Sequence, residues 1–124
     1  MREIKFRAWD KESEQMIPND FVNKEASAFV VYNEIAQEWI SDEKDFILMQ
    51  FTGLLDKNSK EIYEGDIVQY FDTAFAPREI FSIDFVNGMF YLKSAEDEEY
   101  NSDMNTAPLE VIGNIYENKN LLKS

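Results

Sequence analysis

Hydrophobic and polar residues alternate along much of this chain with the period of two that is typical of β-strands. In the run EIKFRA, residues 3–8, the apolar residues Ile4, Phe6 and Ala8 fall on one face. This pattern predicts a half-buried strand. A polar turn, DKESEQ, follows it, and the run MIPND carries a partner strand that Pro18 ends.

The segment EASAFVVYNEIAQEWI, residues 25–40, fits two patterns. A helical stripe runs through Ala28, Tyr32, Ile35 and Trp39, and it predicts an α+β chain with one helix near 25–40. The β-branched and aromatic residues of AFVVY favour a strand over Phe29 to Tyr32 and another near Trp39. We favour the strands and keep the helix as the alternative.

Shorter apolar runs follow from Phe46 onward. FILMQF, residues 46–51, predicts a buried strand that Thr52 and Gly53 end, and DKNSK supplies the next turn. The run EIYEGDIVQYF, residues 61–71, resumes the strand pattern on both sides of Gly65 and Asp66. Two strands joined by a polar turn are expected.

A hairpin is the clearest prediction of the C-terminal half. Asn87 and Gly88 separate two β-rich runs within residues 80–92, and both positions of such a turn need positive φ. An acidic loop over residues 94–106 precedes a last strand, Leu109 to Tyr116, in which Gly113 predicts a bulge or bend. Short strands at close spacing predict a mostly β chain with a small, mostly antiparallel barrel.

The amino-acid composition indicates the number of domains and excludes several kinds of catalytic and metal site. The 124 residues are 44% hydrophobic, which predicts one globular domain. Cysteine and histidine are both absent, so disulfides, thiolate zinc sites and Cys or His nucleophile systems are excluded. No segment approaches the roughly 20 apolar residues of a membrane span, and we expect a cytoplasmic protein in a bacterial host.

The net charge of -13 opposes a nucleic-acid partner, because Lys and Arg drive binding to phosphates. Direct nucleic-acid binding remains an alternative through the cations near the N-terminus, which are Arg2, Lys5, Arg7 and Lys11. A solvated strand surface is the simpler interpretation of these cations.

Three blocks of the sequence resemble the signature blocks of the YopX family. They are MREIKFRAWD at the start, FTGLLDKNSKEIYEGDIV in the middle and VIGNIYENKNLL at the end. The resemblance implies a phage- or prophage-encoded protein with an SH3-type barrel in its C-terminal part, and it implies no catalytic residues. The expected organisation is a single YopX-like domain, 1–124, with an N-terminal β extension over 1–45 and the SH3-like barrel with its C-terminal tail over 46–124.

Two groups of acidic residues are candidates for metal binding or catalysis. Asp56 and Asn58 match a calcium loop, but Lys60 stands where a ligand is needed, so a polar turn is favoured. A metal-dependent hydrolase using Asp66 with Glu64 is the enzyme alternative; the favoured interpretation is that Gly65 bends the chain and Asp66 caps the turn. We therefore expect no enzyme, cofactor or metal. The residues assigned to structural motifs are Thr52, Gly53, Asp56, Gly65, Asp66, Gly113 and Asn114.

The acidic loop is the candidate interaction surface. It comprises Glu96, Asp97, Glu98, Glu99, Tyr100, Asp103 and Met104. Tyr100 and Met104 are residue types favoured in interface cores. We expect an accessory protein that acts by protein–protein interaction with a host factor, by self-association as a homo-oligomer, or by both. A variant of this function is an acidic DNA mimic that occupies a basic host protein.

Overall fold

Antiparallel strands and short 3-10 turns make up the ordered elements of the computed structural model, which describes residues 4–25, 28–70, 79–96, 98–102, 104 and 109–122. The strands are β1 Phe6–Asp10, β2 Gln15–Ile17, β3 Val22–Glu25, β4 Ala28–Asn33, β5 Glu38–Ile40, β6 Phe46–Leu55, β7 Glu61–Tyr63, β8 Asp66–Tyr70, β9 Ile80–Val86, β10 Met89–Ser94, β11 Tyr100–Asn101 and β12 Leu109–Asn114. The 3-10 turns are Asn19–Phe21, Glu43–Asp45 and Lys119–Leu122. Among the described residues there is no α-helix.

Residue contacts divide the chain into two units, of which the first ends at Gln50 and the second begins at Phe51. In the first unit, β1 pairs antiparallel with β2 and with residues 46–50 of β6. The strands β3, β4 and β5 form a separate antiparallel sheet. Because side chains alternate along each strand, one face of every strand reaches a common core. That core contains Ala8, Ile17, Val31, Ile40 and Phe46.

The second unit contains a five-stranded antiparallel sheet in the order β11-β10-β9-β8-β12. The hairpin between β9 and β10 turns at Asn87 and Gly88, whose φ angles are 52° and 82°, as the sequence predicts. Residues 51–55 of β6 pair with β7. The core of this unit comprises Ile62, Val68, Phe81, Ile83, Leu92, Leu109 and Val111.

The prediction of a mostly β chain in the small-barrel class is confirmed. The alternative helix near 25–40 is wrong, since the described residues of that segment lie in β3, β4, β5 and the turn between β4 and β5. Val31 and Asn33 point into the interior while Tyr32 is only half-buried. A β pattern of period two therefore prevails over the helical stripe. The predicted division into 1–45 and 46–124 stays a prediction.

Several predicted strand boundaries are wrong. Ile4 was expected on the buried face, but β1 begins at Phe6 and Ile4 is exposed. Thr52 and Gly53 do not end β6, because the strand continues to Leu55 with a shifted register between Phe51 and Leu55. A positive φ of 85° at Gly53 accommodates this irregularity within the strand.

Candidate functional site

Three buried aspartates are the described acidic residues with the least solvent access. Asp10 and Asp66 are each 2% exposed and Asp56 is 6% exposed. A buried carboxylate needs hydrogen-bond donors or an opposite charge, so the partners of each one indicate its role. We find that backbone N–H groups are prominent among those partners.

Asp56 joins the β6–β7 turn to the last strand. Its Oδ1 accepts hydrogen bonds from the N–H groups of Asn58 at 2.8 Å and Lys60 at 2.9 Å, and its Oδ2 accepts one from Val111 at 3.0 Å. Burial by itself would raise the pKa of Asp56, but these hydrogen bonds and the charge of Lys60 lower it below 3.8. Both carboxylate oxygens accept backbone N–H groups, which is the arrangement of a turn cap.

Gly65 and Asp66 form a tight bend between β7 and β8. Asp66 Oδ2 accepts a 2.7 Å hydrogen bond from the N–H of Tyr63. Gly65 has a φ of 87°, donates its N–H to the carbonyl of Ile83 and accepts from the N–H of Ile115, both at 2.8 Å. The bend is therefore tied to two other parts of the same unit.

The other two carboxylates of this region are more exposed to solvent than Asp66. Glu61 and Glu64 are half-buried, and the hydroxyl of Tyr63 lies 3.4 Å from Glu61 Oε1. Within the described ranges no three Asp or Glu residues form a group suited to holding a metal ion. The geometry gives Asp66 a backbone-capping contact, which adds no support for hydrolase chemistry.

A polar network that the sequence reasoning missed joins two turns of the first unit. Asp10 Oδ2 accepts hydrogen bonds of 2.7 Å from the Ser13 hydroxyl and from Asn33 Nδ2. Asn33 Oδ1 accepts the N–H groups of Ile35 and Ala36. Burial would raise the pKa of Asp10, and the hydrogen bonds from Ser13, Asn33 and Glu12 lower it overall. Asp and Asn near turns are a local signal for capping, but the contact between the two turns is not local.

Thr52 has a hydrogen-bonding role at the irregular part of β6. Its Oγ1 donates to the carbonyl of Ile62 at 2.7 Å and accepts the N–H of Leu54 at 3.1 Å. Thr52 is buried, and Gly53 beside it is exposed. The Thr52 hydroxyl thus takes the place of a backbone hydrogen-bonding group between β6 and β7, where the register shifts.

Gly113 and Asn114 shape the end of β12. The register shifts between Val111 and Gly113, as in a β-bulge. Asn114 Oδ1 accepts the N–H groups of Tyr116 and Glu117, while Asn118 Oδ1 accepts the N–H of Asn114 at 3.1 Å. A Cβ at position 113 would lie 2.5 Å from Asn118 Oδ1, so any larger residue here would displace the Asn118 side chain.

The outer surface of β9, β10 and β11 presents an aromatic and apolar patch. We call it the tyrosine face and define it as Val86, Met89, Tyr91 and Tyr100. Val86 pairs with Met89 next to the hairpin turn, and the rings of Tyr91 and Tyr100 meet edge to face with centroids 5.7 Å apart. Val86, Tyr91 and Tyr100 line a shallow concavity. Met89 and Tyr100 are about half exposed, at 52% and 51%.

Charged residues surround Tyr100. Its hydroxyl donates a 2.9 Å hydrogen bond to Asp84 Oδ2, and Lys93 Nζ lies 5.9 Å from its ring centroid and 4.0 Å from Glu98 Oε1. The hydrogen bond to Asp84 raises the pKa of Tyr100 above 10.0, with smaller effects from burial and from the charges of Asp84 and Glu98.

The remaining residues of the predicted interaction surface are placed differently from one another. Glu96, Glu98 and Glu99 are exposed. Met104 is half-buried and packs against the core of the second unit. Asp97 and Asp103 lie outside the described residues. The structure thus brings Tyr100 together with Tyr91, a residue outside the predicted interaction surface.

Comparison with known proteins gives one family and two similar structures. The family model described as YopX protein matches residues 5–123. The crystal structure of protein EF1440 from Enterococcus faecalis is 27% identical, with a TM-score of 0.66, and the match covers 99% of this chain and 100% of that one. The X-ray structure of protein yopX from Bacillus subtilis is 21% identical, with a TM-score of 0.65, and the match covers 100% and 98%.

None of these descriptions names an enzymatic activity. The chain matches no curated protein. In the described part of the chain, no helix has the length and apolar character that a bilayer span requires. Since the family model covers nearly the whole sequence, the chain belongs to the YopX family.

Proposed function

We propose that this chain is a non-catalytic accessory protein, of phage or prophage origin, that binds another protein through the tyrosine face. The pairing of Tyr91 and Tyr100 on the solvent side of the sheet carries the proposal. Aromatic and Met side chains are enriched in interface cores, and tyrosine offers a large contact area with little loss of conformational entropy. Val86 and Met89 extend this apolar area toward the hairpin turn.

The surroundings of the tyrosine face favour a protein partner over a nucleic acid. Lys93, the cation beside Tyr100, already lies within 4.0 Å of Glu98. Asp84 and the exposed Glu96 and Glu99 add negative charge to the same unit. With a net charge of -13, the chain has little electrostatic attraction for phosphate. A host protein of the bacterial cytoplasm, with a basic rim around an apolar centre, fits this surface best.

The buried aspartates support the non-catalytic part of the proposal. Asp56 and Asp10 are held by hydrogen bonds that lower their pKa values, whereas a general acid needs a raised pKa. Asp66 accepts a backbone N–H within a tight bend. These contacts favour structural roles for the three residues.

A pull-down from host lysate with three variants tests the surface. Met89→Ser and Tyr100→Ser remove exposed apolar area from the tyrosine face, and we expect each to release a partner that the wild-type protein retains. Leu55→Ser is the matched control, because Leu55 is an exposed apolar residue of the same unit outside the face. Equal retention by all four proteins, or retention lost in the control alone, contradicts the assignment of the face.

Two further measurements separate the rival functions. Sedimentation velocity of the purified chain detects a homo-oligomer, and loss of that oligomer in Tyr100→Ser would make a second copy the partner. A DNA titration at two salt concentrations detects direct nucleic-acid binding, which weakens steeply with salt. In the DNA-mimic variant, added DNA displaces the chain from a captured basic protein.

The hydrolase alternative needs its own screen. Purified protein with Mg²⁺ or Mn²⁺ is tested against nucleotide and nucleic-acid substrates, and we expect no turnover. Glu64→Gln is the informative variant because Glu64 is half-buried, whereas changing Asp66 would also disturb the bend. Turnover that disappears in Glu64→Gln would overturn the non-catalytic proposal.

A further inference from the structure

The first unit has an aromatic surface of its own, on the outer side of the sheet formed by β3, β4 and β5. We call it the tryptophan face and define it as Val30, Tyr32 and Trp39. Val31 and Asn33 are buried, so strand alternation turns Val30 and Tyr32 outward. Trp39 is the cross-strand partner of Tyr32, and it is 60% exposed.

The two rings form a single platform. Their centroids are 5.0 Å apart and their planes are inclined by 58°. On the other side of Tyr32, the ring of Phe21 lies at 6.3 Å. Phe21 and Tyr32 are half-buried, so Trp39 is the ring of this group that is most accessible to a ligand.

A groove adjoins the platform. Its apolar lining comes from Met16, Ile17, Pro18, Phe21, Tyr32 and Ile35. The turn between β4 and β5 forms one wall, and Asn33 holds it in place by accepting the N–H groups of Ile35 and Ala36 at 3.0 and 3.1 Å. Because Asn33 is itself bonded to the buried Asp10, this wall is preorganised, which lowers the entropic cost of binding.

The charge next to the platform is negative. Glu34, which is exposed, lines the groove beside Tyr32. Lys93 and Lys24 each lie 5.9 Å from an aromatic ring, those of Tyr100 and Phe29. In the described ranges of the chain, no cation lies over Trp39 in the same way. The platform therefore has an aromatic ring and a nearby carboxylate for a cation, and none of the described lysines or arginines occupies that place.

We propose that the tryptophan face binds an extended, arginine-bearing segment of a partner protein. A guanidinium stacks on the Trp39 ring, where it gains a cation–π contact as well as planar stacking. Glu34 supplies the opposite charge, and the apolar groove takes a neighbouring side chain of the segment. A second copy of this chain is a poor occupant because it repeats the same negative charge. This inference does not depend on the tyrosine face.

Three short capped peptides test the chemistry of the occupant. All three share the same glycine-rich sequence. They differ only at two positions, which are both arginine, both lysine or both citrulline. Citrulline keeps the planar shape of the arginine head group without its charge. We expect the arginine peptide to bind best, the lysine peptide more weakly and the citrulline peptide not measurably.

Nuclear magnetic resonance of the two indole N–H groups shows where on the chain the peptide binds. Trp39 is exposed and Trp9 is only 8% exposed, so we expect the Trp39 signal to move with added arginine peptide and the Trp9 signal to stay. In Trp39→Leu the affinity should fall about three- to fivefold, the amount that an exposed cation–π contact supplies. Glu98→Gln is the control for general electrostatic attraction, because it removes one negative charge from the second unit, and it should bind like the wild type.

Each contrary outcome identifies another explanation. Equal binding by wild type and Trp39→Leu overturns the proposal and assigns the affinity to general attraction by an acidic chain. Equal binding of the citrulline peptide also overturns it, since charge is then not recognised. A wild-type dimer that Trp39→Leu converts to a monomer assigns the face to a second copy. Loss of partner capture in Tyr100→Ser leaves the inference intact, which separates it from the proposed function.

Discussion

The carboxylate of Asp56 accepts a 3.0 Å hydrogen bond from the N–H of Val111, a residue 55 positions further along the chain. The link is reinforced by the N–H of Lys57, which donates to the carbonyl of Leu109 at 2.9 Å. The turn after β6 is thus fastened to the strand that closes the five-stranded sheet. Asp56 fixes tertiary structure as well as the local turn.

Replacing Asp56 should be among the most destabilising changes of a polar residue in this chain. Asp56→Ala leaves the N–H groups of Asn58, Lys60 and Val111 without their acceptor, and we expect a loss of about 3 kcal/mol in the free energy of unfolding. Chemical denaturation measures it. Asn58→Ala is the control, because that residue keeps its backbone N–H, and a change above about 0.5 kcal/mol there would contradict the account.

Stability should fall with acidity in a window set by Asp10 and Asp56. Both pKa values are lowered in the folded chain from 3.8, so below that value the unfolded chain binds more protons than the folded one. Their contribution is therefore complete above the unfolded pKa and is lost as the pH falls through the folded pKa values. Urea unfolding from neutral pH down to about pH 2.5 measures this loss.

The variant Asp56→Asn isolates one of the two groups. It resembles the protonated carboxyl group, so its stability deficit relative to the wild type should be largest near neutral pH and should shrink below pH 3.8. A deficit that stays constant over the whole range would show that Asp56 contributes no charge-dependent stability.

The close approach of Gly113 to Asn118 predicts a coupled pair of substitutions. In Gly113→Ala the new Cβ displaces Asn118, whose Oδ1 then no longer accepts the N–H of Asn114. We expect a loss of about 1 to 2 kcal/mol. In an Asn118→Ala background the same change should cost less, and thermal unfolding of the four proteins measures the coupling. Additive losses would refute the contact.

Tyr100 should titrate above the usual range for tyrosine because of its hydrogen bond to Asp84. We expect Asp84→Asn to lower the pKa of Tyr100 and Glu98→Gln to lower it by less, in the order of their effects on the wild-type residue. Nuclear magnetic resonance of the Tyr100 ring across alkaline pH measures both shifts. An unchanged pKa in Asp84→Asn would mean that the hydrogen bond does not hold in solution.

Local patterns were sufficient to predict many of the strands. The Asn87–Gly88 hairpin and the strand around Val31 follow from turn chemistry and from β-branched residues, which act over a few neighbouring positions. Ile4 was assigned to the buried face by alternation, but alternation does not say where pairing with a neighbouring strand stops. The strand β3, Val22–Glu25, was missed because it is short and three of its four residues are polar.

The candidate surfaces required knowledge of strand pairing. Tyr100 lies beside Tyr91 because β11 pairs with β10, and Trp39 lies beside Tyr32 because β5 pairs with β4. The sequence identifies all four as aromatic, but the face that each presents depends on register. The bond between Asp10 and Asn33 spans 23 residues and has no local sequence signal.

The pairing of β12 with β8 sets a limit on how the chain can fold during synthesis. Leu109 is the partner of Tyr70, so the five-stranded sheet lacks one edge strand until β12 has emerged from the ribosome. Until then β8 presents an open edge and the Asp56 carboxylate lacks its bond from Val111. The nascent second unit therefore depends on β12 for completion, and this long-range closure predicts slow maturation compared with a chain built from local hairpins alone.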